Sequence, residues 1–95
     1  MAYTIFILGG VIKPTDFSSQ HNPDVIINTS CGYIEIDANK SPTGAYRGWW
    51  IVVIRLIGDN TCLQFLTQDN AVTLEYYVRK IYKGTPSNWV RLSTI

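Results

Sequence analysis

The stretch Gly48-Trp49-Trp50-Ile51-Val52-Val53-Ile54-Arg55-Leu56-Ile57 decides the fold of this chain. It is rich in β-branched and aromatic residues, which favour strands. Apolar side chains occupy both alternating faces, and Arg55 is the only charged residue. A strand that is apolar on both faces must be covered on both. We therefore expect one face to lie in the domain core and the other to pack against a loop, an arm or a neighbouring subunit.

Short alternating runs on either side of this stretch predict further strands, because turn residues separate them. These runs cover residues 3–8, 32–37, 61–67, 72–82 and 89–92, and Gly58-Asp59-Asn60 is typical of a hairpin turn. Residues 15–29 are polar and Asn-rich and predict a loop. The sequence thus predicts an all-β fold, a small antiparallel meander or sandwich of about five or six strands with an N-terminal arm. We expect the arm, or docking segment, over residues 1–28 and the body over 29–95.

Composition limits the function. The 95 residues allow one core, 46% of them are apolar, and the net charge is +1. Basic residues are scattered among carboxylates, which argues against nucleic-acid binding. The apolar run at residues 5–8 is too short to cross a membrane, so we expect no membrane insertion. Cys31 and Cys62 have no metal-site spacing and no export leader precedes them, which predicts two buried free thiols and synthesis in a cytosol without export.

Catalytic and cofactor motifs are sparse. His21 is the single histidine, it lies in the polar 15–29 segment, and we interpret it as a surface residue. The chain lacks the ligand spacing of a zinc site and a phosphate-binding glycine loop, so we expect no metal and no cofactor. Glu35 and Asp37 would share one strand face about 7 Å apart, a separation that suits an inverting glycosidase pair. Two solvated carboxylates explain the same pattern, and we expect a protein that is not an enzyme.

The aromatic residues suggest a second interpretation, because tyrosine and tryptophan combine a large apolar face with a polar handle. Seven of them could stack on sugar rings or fill the core: Tyr33, Tyr46, Trp49, Tyr76, Tyr77, Tyr82 and Trp89. We select Tyr46, Tyr33 and Tyr77 as candidate binding residues, Tyr46 first because it lies in a turn-rich loop. Trp50 we assign to the core.

From Gly32 to the C-terminus the order of motifs resembles the knob-like domain at the ends of phage tail fibres and pyocin tail fibres. The matching motifs are, in order, Gly32-Tyr33, Ser41-Pro42-Thr43-Gly44, Gly48-Trp49 leading into Ile51-Val52-Val53, Gln64, Tyr77-Val78-Arg79, Lys83-Gly84 and Trp89-Val90-Arg91-Leu92. Pro86 stands where the family often has a second tryptophan, and the chain has no fibrous shaft. Within this pattern we expect Gln64, Arg79 and Trp89 to be structural. The planar guanidinium of Arg79 would donate hydrogen bonds to a neighbouring strand or to a loop carbonyl.

The resemblance implies a non-enzymatic tail fibre or tail appendage component that is assembled in the host cytoplasm and acts in virion assembly and host-surface attachment. It implies tail or baseplate proteins as partners, a homo-oligomer with a trimer as the first expectation, and a host surface glycan as ligand. Two alternatives stay open. One is a small carbohydrate-active enzyme that uses Glu35 and Asp37, and the other is a free-standing lectin-like module.

Overall fold

The structure is a computed structural model that describes residues 5–7, 10–69 and 75–92, with the side chains of 5–7 and 10–12 excepted. These residues contain nine strands and one short 3-10 helix, joined by turns and loops. They are β1 (Ile5–Ile7), β2 (Gly10–Ile12), β3 (Thr15–Phe17), the 3-10 helix (Pro23–Val25), β4 (Ser30–Ile36), β5 (Arg47–Arg55), β6 (Cys62–Gln68), β7 (Tyr76–Tyr82), β8 (Thr85–Pro86) and β9 (Val90–Leu92). The predicted all-β fold is confirmed. In the described part of the chain, no helix is long and apolar enough to cross a membrane.

The central sheet is a meander with an added parallel strand. Strands β4, β5, β6 and β7 pair in sequence order and antiparallel, as predicted, and both β8 and β9 pair with β7. Strand β3 lies parallel to β4, with Thr15 opposite Gly32. The sheet is therefore mixed, which the sequence did not predict. Strand β4 approaches β3 closely at Gly32. Only glycine fits there, because a Cβ at position 32 would lie 1.8 Å from the carbonyl oxygen of Thr15.

The N-terminal segment differs from the prediction. Residues 15–29 were expected to form a loop, but they contain β3 and the 3-10 helix, and Pro23 and Ile26 are buried. From residue 15 onward, the predicted arm is therefore part of the sheet and its core. Strands β1 and β2 pair with each other as a separate antiparallel hairpin. Of the strand predicted over 3–8, residues 5–7 form β1 and the remainder lies outside the described residues.

The two faces of the central sheet differ in how they are covered. One, the core face, carries Ile34, Ile36, Trp49, Ile51, Val53, Leu66 and Ile81, all at most 1% exposed. The segment around Ile26 packs onto it, with Phe17, Ile27, Tyr77 and Trp89 at its margins. The other, the open face, carries Trp50, Val52, Ile54, Leu63, Phe65, Tyr76, Val78, Val90 and Leu92, which the strand register places side by side. On this face Trp50, Tyr76, Val90 and Leu92 are exposed, whereas Val52, Ile54, Leu63, Phe65 and Val78 are half-buried.

Two tryptophan expectations need correction. Trp50, assigned to the core, is 46% exposed on the open face, while Trp49, considered for sugar stacking, is 0% exposed. The register explains both, because Trp49 lies opposite Ile34 on the core face and Trp50 lies opposite Tyr33 on the open face. Cys31 and Cys62 are free and buried, as predicted. Burial raises the pKa of both thiols.

Candidate functional site

Four side chains meet at one end of the open face. Tyr46 donates a hydrogen bond of 2.6 Å from its hydroxyl to Oε1 of Glu35, and Tyr33 donates one of 3.0 Å to Oε2 of the same carboxylate. Trp50 packs edge-on against Tyr33, with 5.4 Å between ring centroids. We call Tyr33, Glu35, Tyr46 and Trp50 the aromatic–carboxylate cluster. The Glu35 carboxylate is thus oriented by a hydrogen bond on each oxygen.

The strand pattern positions this cluster. Tyr33 and Glu35 are two residues apart in β4 and therefore project from the same face. Gly48 lies opposite Glu35 on β5. A Cβ there would lie 2.5 Å from the Tyr33 hydroxyl oxygen and 3.0 Å from Cε1. The missing side chain at Gly48 is what allows the Tyr33 ring to lie across β5 and reach Glu35.

His21 and Tyr46 complete the margin of the cluster. His21 donates from Nδ1 to the backbone oxygen of Glu35 at 2.8 Å, and its ring centroid lies 5.9 Å from that of Tyr46. The backbone of Asp37 bonds back to the His21 oxygen at 3.1 Å. His21 was expected on the surface; it is half-buried and fixes the 15–29 segment to the end of β4. Its role is therefore to hold the neighbouring backbone.

The electrostatics favour a charged Glu35 and neutral tyrosines. Hydrogen bonds from Tyr46 and then Tyr33 lower the pKa of Glu35 below its ordinary value. The reciprocal hydrogen bond to Glu35 raises the pKa of Tyr46 to about 12. At neutral pH both tyrosines therefore act as donors to an ionised carboxylate. A carboxylate has about four acceptor sites, so Glu35 can still accept hydrogen bonds from a ligand while Tyr46, 55% exposed, and Trp50 present apolar ring surface.

The three predicted binding tyrosines do not all come together. Tyr33 and Tyr46 share Glu35, but Tyr77 lies on the core face, where its ring meets Trp49 edge-on at 5.5 Å and 90°. Sequence reasoning also missed two members of the cluster, since Glu35 was considered only as a catalytic group and Trp50 only as core. The two-residue spacing of Tyr33 and Glu35 was the available signal, because it places a hydroxyl and a carboxylate on one strand face.

Gln64, Arg79 and Trp89, which were expected to be structural, form one network in the structure. The Gln64 amide, 0% exposed, donates to the backbone oxygens of Pro23 at 2.7 Å and Ile26 at 2.8 Å. Its Oε1 accepts from Nε of Arg79 at 2.7 Å. The Trp89 ring lies 4.2 Å from the Arg79 guanidinium carbon. This network ties the 3-10 helix to the sheet, although Trp89 is half-buried and not fully enclosed.

Asp24 joins this network from the 3-10 helix. Its Oδ1 accepts from Nη2 of Arg79 at 2.8 Å, and its Oδ2 accepts from Nζ of Lys40 at 2.7 Å. Burial acts to raise the pKa of Asp24, but the hydrogen bonds and charges of Lys40 and Arg79 outweigh it and hold that pKa below its ordinary value. Arg79 is more deeply buried, so in its case desolvation outweighs the ion pair and lowers its pKa. A guanidinium nevertheless stays charged in a protein.

The two carboxylates of the enzyme alternative, Glu35 and Asp37, lie in different surroundings. Asp37 is exposed and follows the last residue of β4, while Glu35 is held by tyrosines that lower its pKa. A general acid at neutral pH needs the opposite shift. Across residues 5–7, 10–69 and 75–92, no group of three or more histidine, cysteine or carboxylate side chains could hold a metal ion.

Comparison of the chain with protein-family models, with curated proteins and with solved structures finds no match in any of the three. The aromatic–carboxylate cluster and the Arg79 network must therefore be interpreted from their own chemistry.

Proposed function

We propose that this protein is a non-enzymatic component of a phage tail fibre or tail appendage, and that it attaches to a host surface glycan through the aromatic–carboxylate cluster. The observation that carries the proposal is the pair of exposed rings, Tyr46 and Trp50, beside an ionised Glu35 whose oxygens are already oriented. Sugar hydroxyls would donate to the carboxylate while the apolar face of the sugar ring covers an aromatic ring. Ligand sites commonly combine such apolar surface with a few placed polar groups.

The order of motifs from Gly32 onward supports the assignment to a tail. Three residues of that pattern, Gln64, Arg79 and Trp89, form one connected network in the structure. Residues of the motif pattern that are far apart in sequence are therefore connected in space. A tail component would be assembled in the host cytoplasm and reside in the virion, with tail or baseplate proteins as its neighbours.

Glycan titrations test the attachment proposal. The probes are oligosaccharides released from host surface polysaccharide, and the signal is fluorescence of the indoles, of which Trp50 belongs to the cluster. We expect Tyr46→Phe and Glu35→Gln to weaken binding about tenfold or more, since hydrogen bonds to a charged group contribute about 1.5–3 kcal/mol. Tyr82→Phe is the matched control, because Tyr82 is equally exposed, at 55%, but lies outside the cluster.

Three results would contradict specific parts of the proposal. Binding that survives both cluster variants would remove the cluster as the glycan site. Shortened oligosaccharides that disappear with Glu35→Gln would favour the carbohydrate-active enzyme. Glycan binding by a protein that does not co-purify with tail or baseplate proteins from virions would favour the free-standing lectin-like module.

A second function, assembly, is favoured by the open face. Five adjacent strands, β4 to β7 with β9, span roughly 20 Å across and a similar length along the strands, so the face covers roughly 400 Å². Val90 and Leu92 are 56% and 44% exposed on it. The largest apolar patch on a soluble monomer is often functional. We propose that further copies of this chain cover it, three about one axis as the fibre resemblance implies.

Light scattering at micromolar concentration tests the assembly proposal. Val90→Lys and Leu92→Lys together place charges on the open face at exposed positions, so the fold should tolerate them. We expect these variants to be monomeric while the native chain is oligomeric. Ile57→Lys, which charges another aliphatic residue that is 104% exposed but lies beyond the end of β5, is the control and should leave the mass unchanged. A native chain that is a stable monomer would refute assembly through the open face.

A further inference from the structure

We propose that a cleft beside Arg79 is a second ligand site, separate from the aromatic–carboxylate cluster, which binds the carboxylate or phosphate group of a small acidic sugar. The cleft has a volume of about 240 Å³, and its lining includes Asp24, Lys40, Arg79, Ser87, Asn88 and Trp89. The Arg79 side chain projects on the core face of the sheet, whereas Glu35 projects on the open face. This site does not depend on the proposed function, because it shares no residue with the cluster.

The hydrogen bonds of the Arg79 guanidinium to described residues do not use all of its N–H donors. Its side chain is only 5% exposed. Nε is committed to Gln64 and Nη2 to Asp24. Within the described residues no hydrogen bond engages Nη1, yet Nη1 is not among the fully buried atoms that lack a partner. The cleft is the opening that Arg79 lines. A nearly buried guanidinium at the wall of a cleft favours an anionic ligand, because hydrogen bonds between ionised groups are the strong ones.

The charge of the cleft favours an anion as ligand. Asp24 uses both oxygens, one on Lys40 and one on Arg79, so two cations surround one carboxylate. One formal positive charge is left over. The Lys40 side chain is 38% exposed, and its ammonium has three donors, one of which goes to Asp24. Both cations can therefore contact an incoming acidic group without breaking their bonds to Asp24.

Trp89 gives the cleft a rigid wall. Its ring stacks on the Arg79 guanidinium at 4.2 Å, and its Nε1 donates to the backbone oxygen of Lys40 at 3.3 Å. Ser87 and Asn88 add polar groups at the rim. The volume is smaller than the roughly 300–1,000 Å³ of pockets for drug-sized ligands. The part of the ligand that enters the cleft is therefore about the size of one sugar ring with its acidic substituent.

A titration followed by two-dimensional amide and indole NMR tests the site with three defined probes. Glucuronate carries a carboxylate, glucose 6-phosphate carries a phosphate, and glucose is the neutral reference. We expect glucuronate, glucose 6-phosphate or both to shift the Trp89 indole signal at millimolar concentration, and glucose to shift it less. The acidic probe that shifts the signal identifies the acidic group. Added salt should weaken the shift, since the contact is ionic.

Two variants act at exposed or half-exposed positions, so the fold can be checked first from the dispersion of the amide spectrum. Lys40→Gln removes one cation, and Asn88→Asp places a negative charge at the rim. We expect each to weaken binding of the acidic probe about tenfold. Lys80→Gln, which removes an exposed lysine projecting on the open face, should change affinity less than about twofold. Equal shifts from glucose, no Trp89 shift with either acidic sugar, or undiminished affinity in both cleft variants would overturn the proposal. None of these outcomes depends on Glu35 or Tyr46.

Discussion

Gln64→Leu should remove a large part of the stability of this protein, although leucine has nearly the same size. The amide donates to the Pro23 and Ile26 oxygens and accepts from Arg79 at a site that is 0% exposed. The Pro23 oxygen would keep the hydrogen bond that it accepts from the Ile26 N–H at 3.1 Å, but leucine would leave the Ile26 carbonyl and one charged N–H of Arg79 without the partner that Gln64 provides. Each unsatisfied group costs about 1–3 kcal/mol. The sum for these two groups is about 2–6 kcal/mol, against a total of about 5–15 kcal/mol for a typical domain.

Chemical denaturation followed by tryptophan fluorescence measures this loss, because buried Trp49 reports unfolding of the core. Gln68→Leu is the matched control. Gln68 lies on the same strand and bonds to Arg47 at 2.6 Å, but it is half-buried and water can replace its bonds. We expect the control to cost less than about 1 kcal/mol. Equal free energies of unfolding for the two variants would refute the view that Gln64 holds the 3-10 helix on the sheet.

Four further changes test the packing and the ion pairs. Gly32→Ala should destabilise by more than about 2 kcal/mol in denaturant titrations, since its Cβ would meet the Thr15 oxygen at 1.8 Å. Gly84→Ala, in open space at φ +84°, should cost only about 1 kcal/mol. Trp89→Ala should cost about 2–3 kcal/mol, less than the ~3–5 kcal/mol of a fully buried indole, and an unchanged denaturation midpoint would contradict its stacking role. Folding lowers the pKa of Asp24, so its ionised carboxylate stabilises the folded protein. This stabilisation is present above the ordinary pKa of 3.8 and is lost as the pH falls through the lower pKa of the folded state. The denaturation midpoint of Asp24→Asn should therefore depend less on acid pH than that of the native protein.

The sequence predicts most of the central sheet because its strands alternate and glycines and asparagines mark the turns. The turn before β6, for example, contains Gly58 at φ +124° and Asn60 at φ +46°. The parallel pairing of β3 could not be predicted in this way. Its three residues are too few to show a period, and the pairing depends on the space that Gly32 leaves. The polar composition of residues 15–29 wrongly predicted a loop. Pro23 and Ile26 are buried in this segment, and their polar neighbours supply caps and ion pairs.

The candidate site was harder to predict because strand alternation fixes which residues share a face and not which face is covered. Trp49 and Trp50 are equivalent in sequence, and only the placement of the 3-10 helix segment decides that Trp49 is buried. Tyr46 illustrates a second limit, since its hydrogen bond to Glu35 joins a loop residue to a strand eleven positions away in sequence. Such contacts depend on loop conformation, which periodicity does not determine.

The positions of the cluster and the open face make attachment and assembly compatible on one sheet. The row formed by Tyr33 and Trp50 lies at one end of the open face, and Glu35 and Gly48 lie one step further toward that end. The next row in the other direction contains Val52, Phe65, Val78 and Val90. Copies that meet through this second row bury aliphatic and phenyl groups but leave Glu35 and Tyr46 at the rim. Attachment would then be repeated around the assembly axis, so that weak single-site binding to a repeating glycan is multiplied by simultaneous contacts.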